Sequence, residues 1–161
     1  MASSKVNLDE SSKLDITCKR GDTFSLTITL KDSNGTALTL ATDNYRFIVQ
    51  VRQPIDPRLA SRSATGKGGL ILGTQDIGDK AVDRVGAERN FEVVSVDDSG
   101  NATIQASAKT MRSVPSGDYV YDIQYIKPST TGGLDTHKTV LFGNFVVKED
   151  ISEAIETRTR R

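Results

Sequence analysis

The chain has 161 residues, enough for one domain with a real core, and 36% apolar against 26% charged residues is polar without being the composition of a disordered chain. Lysine plus arginine and aspartate plus glutamate stand at 21 each, so no basic excess draws nucleic acid, and no net repulsion opposes self-association. A single cysteine, Cys18, excludes an intrachain disulfide; with no signal-peptide core and no run approaching a membrane span, synthesis in a cytoplasm and no membrane partner are expected.

Residues 1–13 are polar and serine-rich, the composition of a flexible arm. Leu14, Ile16 and Cys18 then alternate with Asp15, Thr17 and Lys19, and Cys18 is expected to act as a small buried apolar side chain. After the turn Arg20-Gly21-Asp22, Phe24, Leu26, Ile28 and Leu30 face one way and Ser25, Thr27, Thr29 and Lys31 the other, a half-buried strand. Asn34-Gly35 supplies turn chemistry because this dipeptide accepts positive φ cheaply. Residues 36–40 continue as a short extended piece. In the next strand Tyr45, Phe47, Val49 and Val51 form the core face, while Arg46, Ile48, Gln50 and Arg52 point outward. Pro54 and Pro57 end it.

Residues 53–90 hold two of the four prolines and six of the thirteen glycines, and only Leu70-Ile71-Leu72 reads as a strand. So long an unpatterned insertion is either a solvated loop or an interaction arm, and Arg58, Arg62 and Lys67 are its candidate partner contacts. Residues 91–96 and 102–108 read as strands joined by a hairpin turn at 97–101, and residues 109–114 as one helical turn. Residues 117–126 then place Tyr119, Tyr121, Ile123 and Tyr125 on one face of a strand, with Asp122 and Gln124 on the other. An exposed loop at 127–136 leads to a return strand at 139–148. In residues 150–161 acids precede arginines, as suits the dipole of a short helix, and Ile151 and Ile155 share a face. This C-terminal arm is expected to order against a neighbouring subunit, with Ile151, Ile155, Arg158, Arg160 and Arg161 as contacts. Seven or eight antiparallel strands select an all-β sandwich or barrel spanning 14–149, between the arms 1–13 and 150–161.

No chemistry-bearing constellation emerges. His137 sits beside Lys138 without the cysteine or second histidine that a zinc site needs. Asp97-Asp98 reads as an Asx-type turn, since no further oxygen ligands follow at calcium-loop spacing. Gly66-Lys67-Gly68-Gly69 lacks the spacing and the Ser/Thr of a phosphate loop. Arg46 and Arg52 point away from Tyr45 and Phe47, so alternation builds no charged stacking platform. Arg20-Gly21-Asp22 matches an adhesion tripeptide, but a turn explains it. No catalytic, cofactor-binding or metal residue is assigned, and neither an enzyme nor a cofactor is expected.

Three early stretches belong together: 15–24, containing Arg20-Gly21-Asp22-Thr23; 27–35, ending in Asp32-Ser33-Asn34-Gly35; and Val49-Gln50-Val51-Arg52. With the closing pair Gly117-Asp118-Tyr119-Val120-Tyr121-Asp122-Ile123-Gln124 and Leu141-Phe142-Gly143-Asn144-Phe145-Val146-Val147, they resemble the Ig-like N-terminal domain of phage baseplate upper proteins and related tail adaptors. The resemblance covers roughly residues 14–150. It implies an Ig-like antiparallel β-sandwich and a non-enzymatic structural subunit of a tailed-phage virion, in the tail, baseplate or a fibre adaptor. Such a subunit would bind other virion proteins, or copies of itself, through its arms and the 53–90 loop. A capsid decoration protein remains the nearest structural alternative. From another class, a host-surface receptor or glycan binder would use the loops 97–101 and 127–136.

Overall fold

The computed structural model describes residues 11–54, 70–74, 90–91 and 93–151. Most of both expected arms and of the 53–90 insertion lies outside them, as do Arg58, Arg62, Lys67, Ile155, Arg158, Arg160 and Arg161.

Most of the alternating sequence becomes strand. In chain order the described strands are β1 (Ser12–Lys13), β2 (Ile16–Lys19), β3 (Phe24–Thr29), β4 (Arg46–Arg52), β5 (Leu70–Gly73), β6 (Val93–Val96), β7 (Asn101–Ala106), β8 (Gly117–Lys127) and β9 (Thr136–Lys148). The one helix among the described residues, α1 (Ala108–Arg112), begins where the Ser107 hydroxyl accepts the Thr110 N–H at 3.2 Å and ends with the Ser113 hydroxyl donating to the Thr110 carbonyl at 2.6 Å. One sheet has the order β1-β9-β8-β4-β5 with β2 also on β9; the other has the order β3-β7-β6.

Two expectations are corrected. Nine strands are described rather than seven or eight, and the sheets are not wholly antiparallel: β1 and β2 run parallel to β9. A two-residue alternation is the same in either direction, so the sequence pattern could not reveal this. Ser12 pairs with Leu141 and Ile16 with Phe145, the same offset, so the break between β1 and β2 is a local step outward and not a slip in register. Side chains hold the step: the Tyr121 hydroxyl donates to the Leu14 carbonyl at 2.6 Å, and the Asp15 carboxylate accepts the Asn144 N–H at 3.0 Å. Gly143 makes room for it, since a Cβ there would run into the Leu14 carbonyl. The last residues of the expected N-terminal arm are therefore sheet.

The two sheets share one hydrophobic core. Phe24 of β3 meets Phe145 of β9 at 5.6 Å between ring centroids and Phe91 at 5.8 Å, and Tyr121 packs edge-on against Phe145 at 6.1 Å. Ala102, Ile104 and Ala106 of β7 are buried in the same cluster. Leu40, Met111 and Val114 are fully buried in the same cluster.

Of the residues assigned to the core face, Phe24, Tyr45, Phe47, Val49, Val51, Tyr119, Tyr121 and Ile123 are buried. Leu26 and Ile28 of β3, and Leu30 just beyond it, pack against the core but are only half-buried; among the described residues β3 has a neighbour on one side alone. Tyr125 is half-buried near the end of β8, against Tyr45 at 5.1 Å and Phe47 at 6.3 Å. Arg52, expected to point outward into solvent, is 9% exposed, and Gln50 accepts from its Nε and Nη2 at 3.2 and 3.0 Å.

Candidate functional site

The β-sheet framework gathers three loops at one end. The start of β4 lies beside the end of β8, Arg46 opposite Ile126, and the end of β3 lies beside the start of β7, Thr29 opposite Asn101. The segment before β4, the 97–101 turn and the 127–136 loop are therefore neighbours. Asp98 ties the first two together: its carboxylate accepts the Thr42 N–H at 2.8 Å and the Thr42 hydroxyl at 2.6 Å. Lys127 at the head of the third loop holds its ammonium 5.8 Å from the centre of the Tyr45 ring, within cation–π range.

Each loop is braced internally by short polar side chains. Asp97 accepts the N–H groups of Ser99 and Asn101 at 2.9 and 3.0 Å, the Asx turn expected from the sequence. The Asn101 backbone N–H is the main reason that its carboxyl lies below the usual carboxylate range; for Asp98 the main reason is the Thr42 hydroxyl. Gly100 in this turn has φ +82°, and a Cβ on it would collide with the Leu30 carbonyl. In the 127–136 loop the Ser129 hydroxyl accepts the N–H groups of Thr131 and Gly133, and Asp135 accepts the Ser129 N–H at 2.9 Å. Leu134 projects from this braced loop 95% exposed.

The opposite end is closed by Arg20. Its Nε donates to the Arg112 carbonyl at the end of α1 at 2.9 Å, and its Nη1 meets Glu149 at 3.1 Å, which holds the Glu149 carboxyl below its ordinary value. The Arg20-Gly21-Asp22 stretch is thus a turn whose arginine is tied to the body. Cys18 donates to the Val146 carbonyl at 3.7 Å, and burial pushes its thiol up to about 11, so it is not a reactive thiolate.

A third feature is the outer face of the six-stranded sheet. Val120 pairs with Asn144 and Asp122 with Phe142, so Val120 and Phe142 are diagonal neighbours, each 38% exposed. Among the described residues no three histidine, cysteine, aspartate or glutamate side chains group as metal ligands would. Of the expected partner contacts the structure describes only Ile151, which is 98% exposed just beyond β9. The sequence reading missed the Thr42–Asp98 tie and the Val120–Phe142 pair. Apolar residues at the outward positions of two pairing strands were the available signal for the pair; the tie joins residues far apart in sequence and left none.

No protein-family model matches the chain, and no curated protein matches it as a relative.

Proposed function

We propose that the chain is a non-enzymatic structural subunit of a bacteriophage virion, an Ig-like β-sandwich of the tail, baseplate or a fibre adaptor that binds its neighbours through surface elements. The observation that carries this reading is the strand order. Leaving aside the first two short strands, the remaining seven in chain order fall into the sets β3, β6, β7 and β4, β5, β8, β9. That is the division of strands B, D, E from C, C′, F, G in an Ig-like fold. A second detail supports it: Tyr119 near the start of β8 donates its hydroxyl to the Pro115 carbonyl at 2.7 Å, the kind of corner contact that marks strand F of such domains. An Ig-like sandwich is also what the resemblance to baseplate and tail-adaptor domains implies. Leu134, Ile151 and the Val120–Phe142 pair supply exposed apolar contacts for assembly.

The test is to dissect purified virions into heads and tails and identify this chain in each fraction by mass spectrometry. The chain is expected with the tails. Recovery with the heads would favour a capsid decoration protein, and absence from both would end the virion reading.

The gathered, braced loops favour a second reading, a receptor or glycan binder at that end of the domain. Isolated protein would then bind host cells, and Asp98→Ala, which releases Thr42, would weaken the binding.

A further inference from the structure

We propose that the open edge of β3 pairs with β3 of a second copy of this chain, antiparallel about a two-fold axis, joining two three-stranded sheets into one of six strands. Among the described residues nothing pairs with β3 on the side away from β7. Natural sheets protect such edges with charges, prolines, bulges or very short strands. The other edges do: β1 and β2 carry Lys13 and Lys19 and are broken by the step at Leu14, β5 and β6 have four residues each, and the β4–β5 ladder is irregular at Val51/Arg52. The six residues of β3, Phe24-Ser25-Leu26-Thr27-Ile28-Thr29, use none of these devices, and their ladder with β7 is unbroken.

The edge also has the right groups facing out. Leu30 donates its N–H toward the β7 side, to the Gly100 carbonyl at 2.8 Å. Strand alternation therefore turns the N–H and C=O of Ser25, Thr27 and Thr29 to the open side. On the core face Leu26 and Ile28 are left half-buried by the missing neighbour.

A register centred on Leu26 makes self-pairing complementary. With Leu26 opposite its own mate, Phe24 faces Ile28 and Ser25 faces Thr27, apolar against apolar and hydroxyl against hydroxyl. Shifting to Thr27 opposite its mate sets Asp22 against Asp32, like charges in register. This dimer needs no particle and stands apart from the virion reading, so either can fail without the other.

Sedimentation of the full chain tests it. The wild type is expected to show a reversible species of twice the 17.5 kDa chain mass. Thr27→Lys and Ser25→Lys, both on exposed outward positions, should each remain folded by circular dichroism and lose that species. Val120→Lys, on the other sheet, should keep it. A wild type that stays monomeric at every concentration, or a dimer that survives both β3 lysines, overturns the proposal. So does a dimer that Val120→Lys abolishes.

Discussion

Truncating Tyr121 to alanine removes a ring that is 5% exposed and packs on Phe145, together with the hydroxyl that donates to the Leu14 carbonyl at 2.6 Å. Loss of a buried aromatic ring costs about 3–5 kcal/mol. Tyr121→Phe keeps the ring and deletes only the hydrogen bond, about 1 kcal/mol. In a domain of this size each kcal/mol moves Tm by roughly 2–4 °C, so the alanine variant should melt roughly 6–20 °C lower and the phenylalanine variant roughly 2–4 °C lower. Urea titration with an unchanged m-value is the direct assay. An alanine loss below about 1 kcal/mol would place the ring outside the core and refute the face assignment. The two variants separate further in alkali. Burial, and secondarily the Asp15 charge, push the Tyr121 hydroxyl from 10 up to about 12. Below pH 10 both folded and unfolded chains keep the proton; above it the unfolded chain ionises first. Stability should therefore fall as pH rises from 10 toward 12, and Tyr121→Phe should lack that part of the fall.

Gly143→Ala would drive a Cβ into the Leu14 carbonyl, so hydrogen exchange should show β1 and β2 loosened from β9, with about 1–3 kcal/mol lost. Cys18, with its thiol pushed up to about 11, should react with an alkylating agent far more slowly in the native chain than in urea at the same pH. Asp97, Asp98 and Glu149 all have lowered pKa values, so their contribution is present above the ordinary carboxylate range and lost as pH falls through the folded values. The double variant Asp97→Asn, Asp98→Asn should accordingly show a shallower loss of stability in acid titration.

How much of this was legible follows from periodicity. The strands β3, β4 and β8 alternate over six or more residues, and their inward faces could be read directly. Leu40, Met111 and Val114 are fully buried but lie outside alternating runs, so no local pattern marked them as core. The ladder of β8 with β9 shifts at Ile123/Gln124, and Ile126 is buried on what strict alternation makes the outer face. Direction and edge position were illegible for the same reason: alternation reports which face is buried, not which neighbour lies alongside. Hence the parallel β1 and β2, and the half-burial of Leu26 and Ile28, came only from the structure. At the loop end the Asx turn at Asp97 was readable because its partners lie within four residues, whereas the Asp98 to Thr42 tie spans 56.

Cross-linking mass spectrometry of intact virions tests the central claim, that this domain is an assembly module, most directly. Links are expected from this chain's exposed lysines, Lys127 beside the loop end among them, to other virion proteins, and should be lost when particles are dissociated. A chain absent from the particle, or present without a single link to another virion protein, would contradict it.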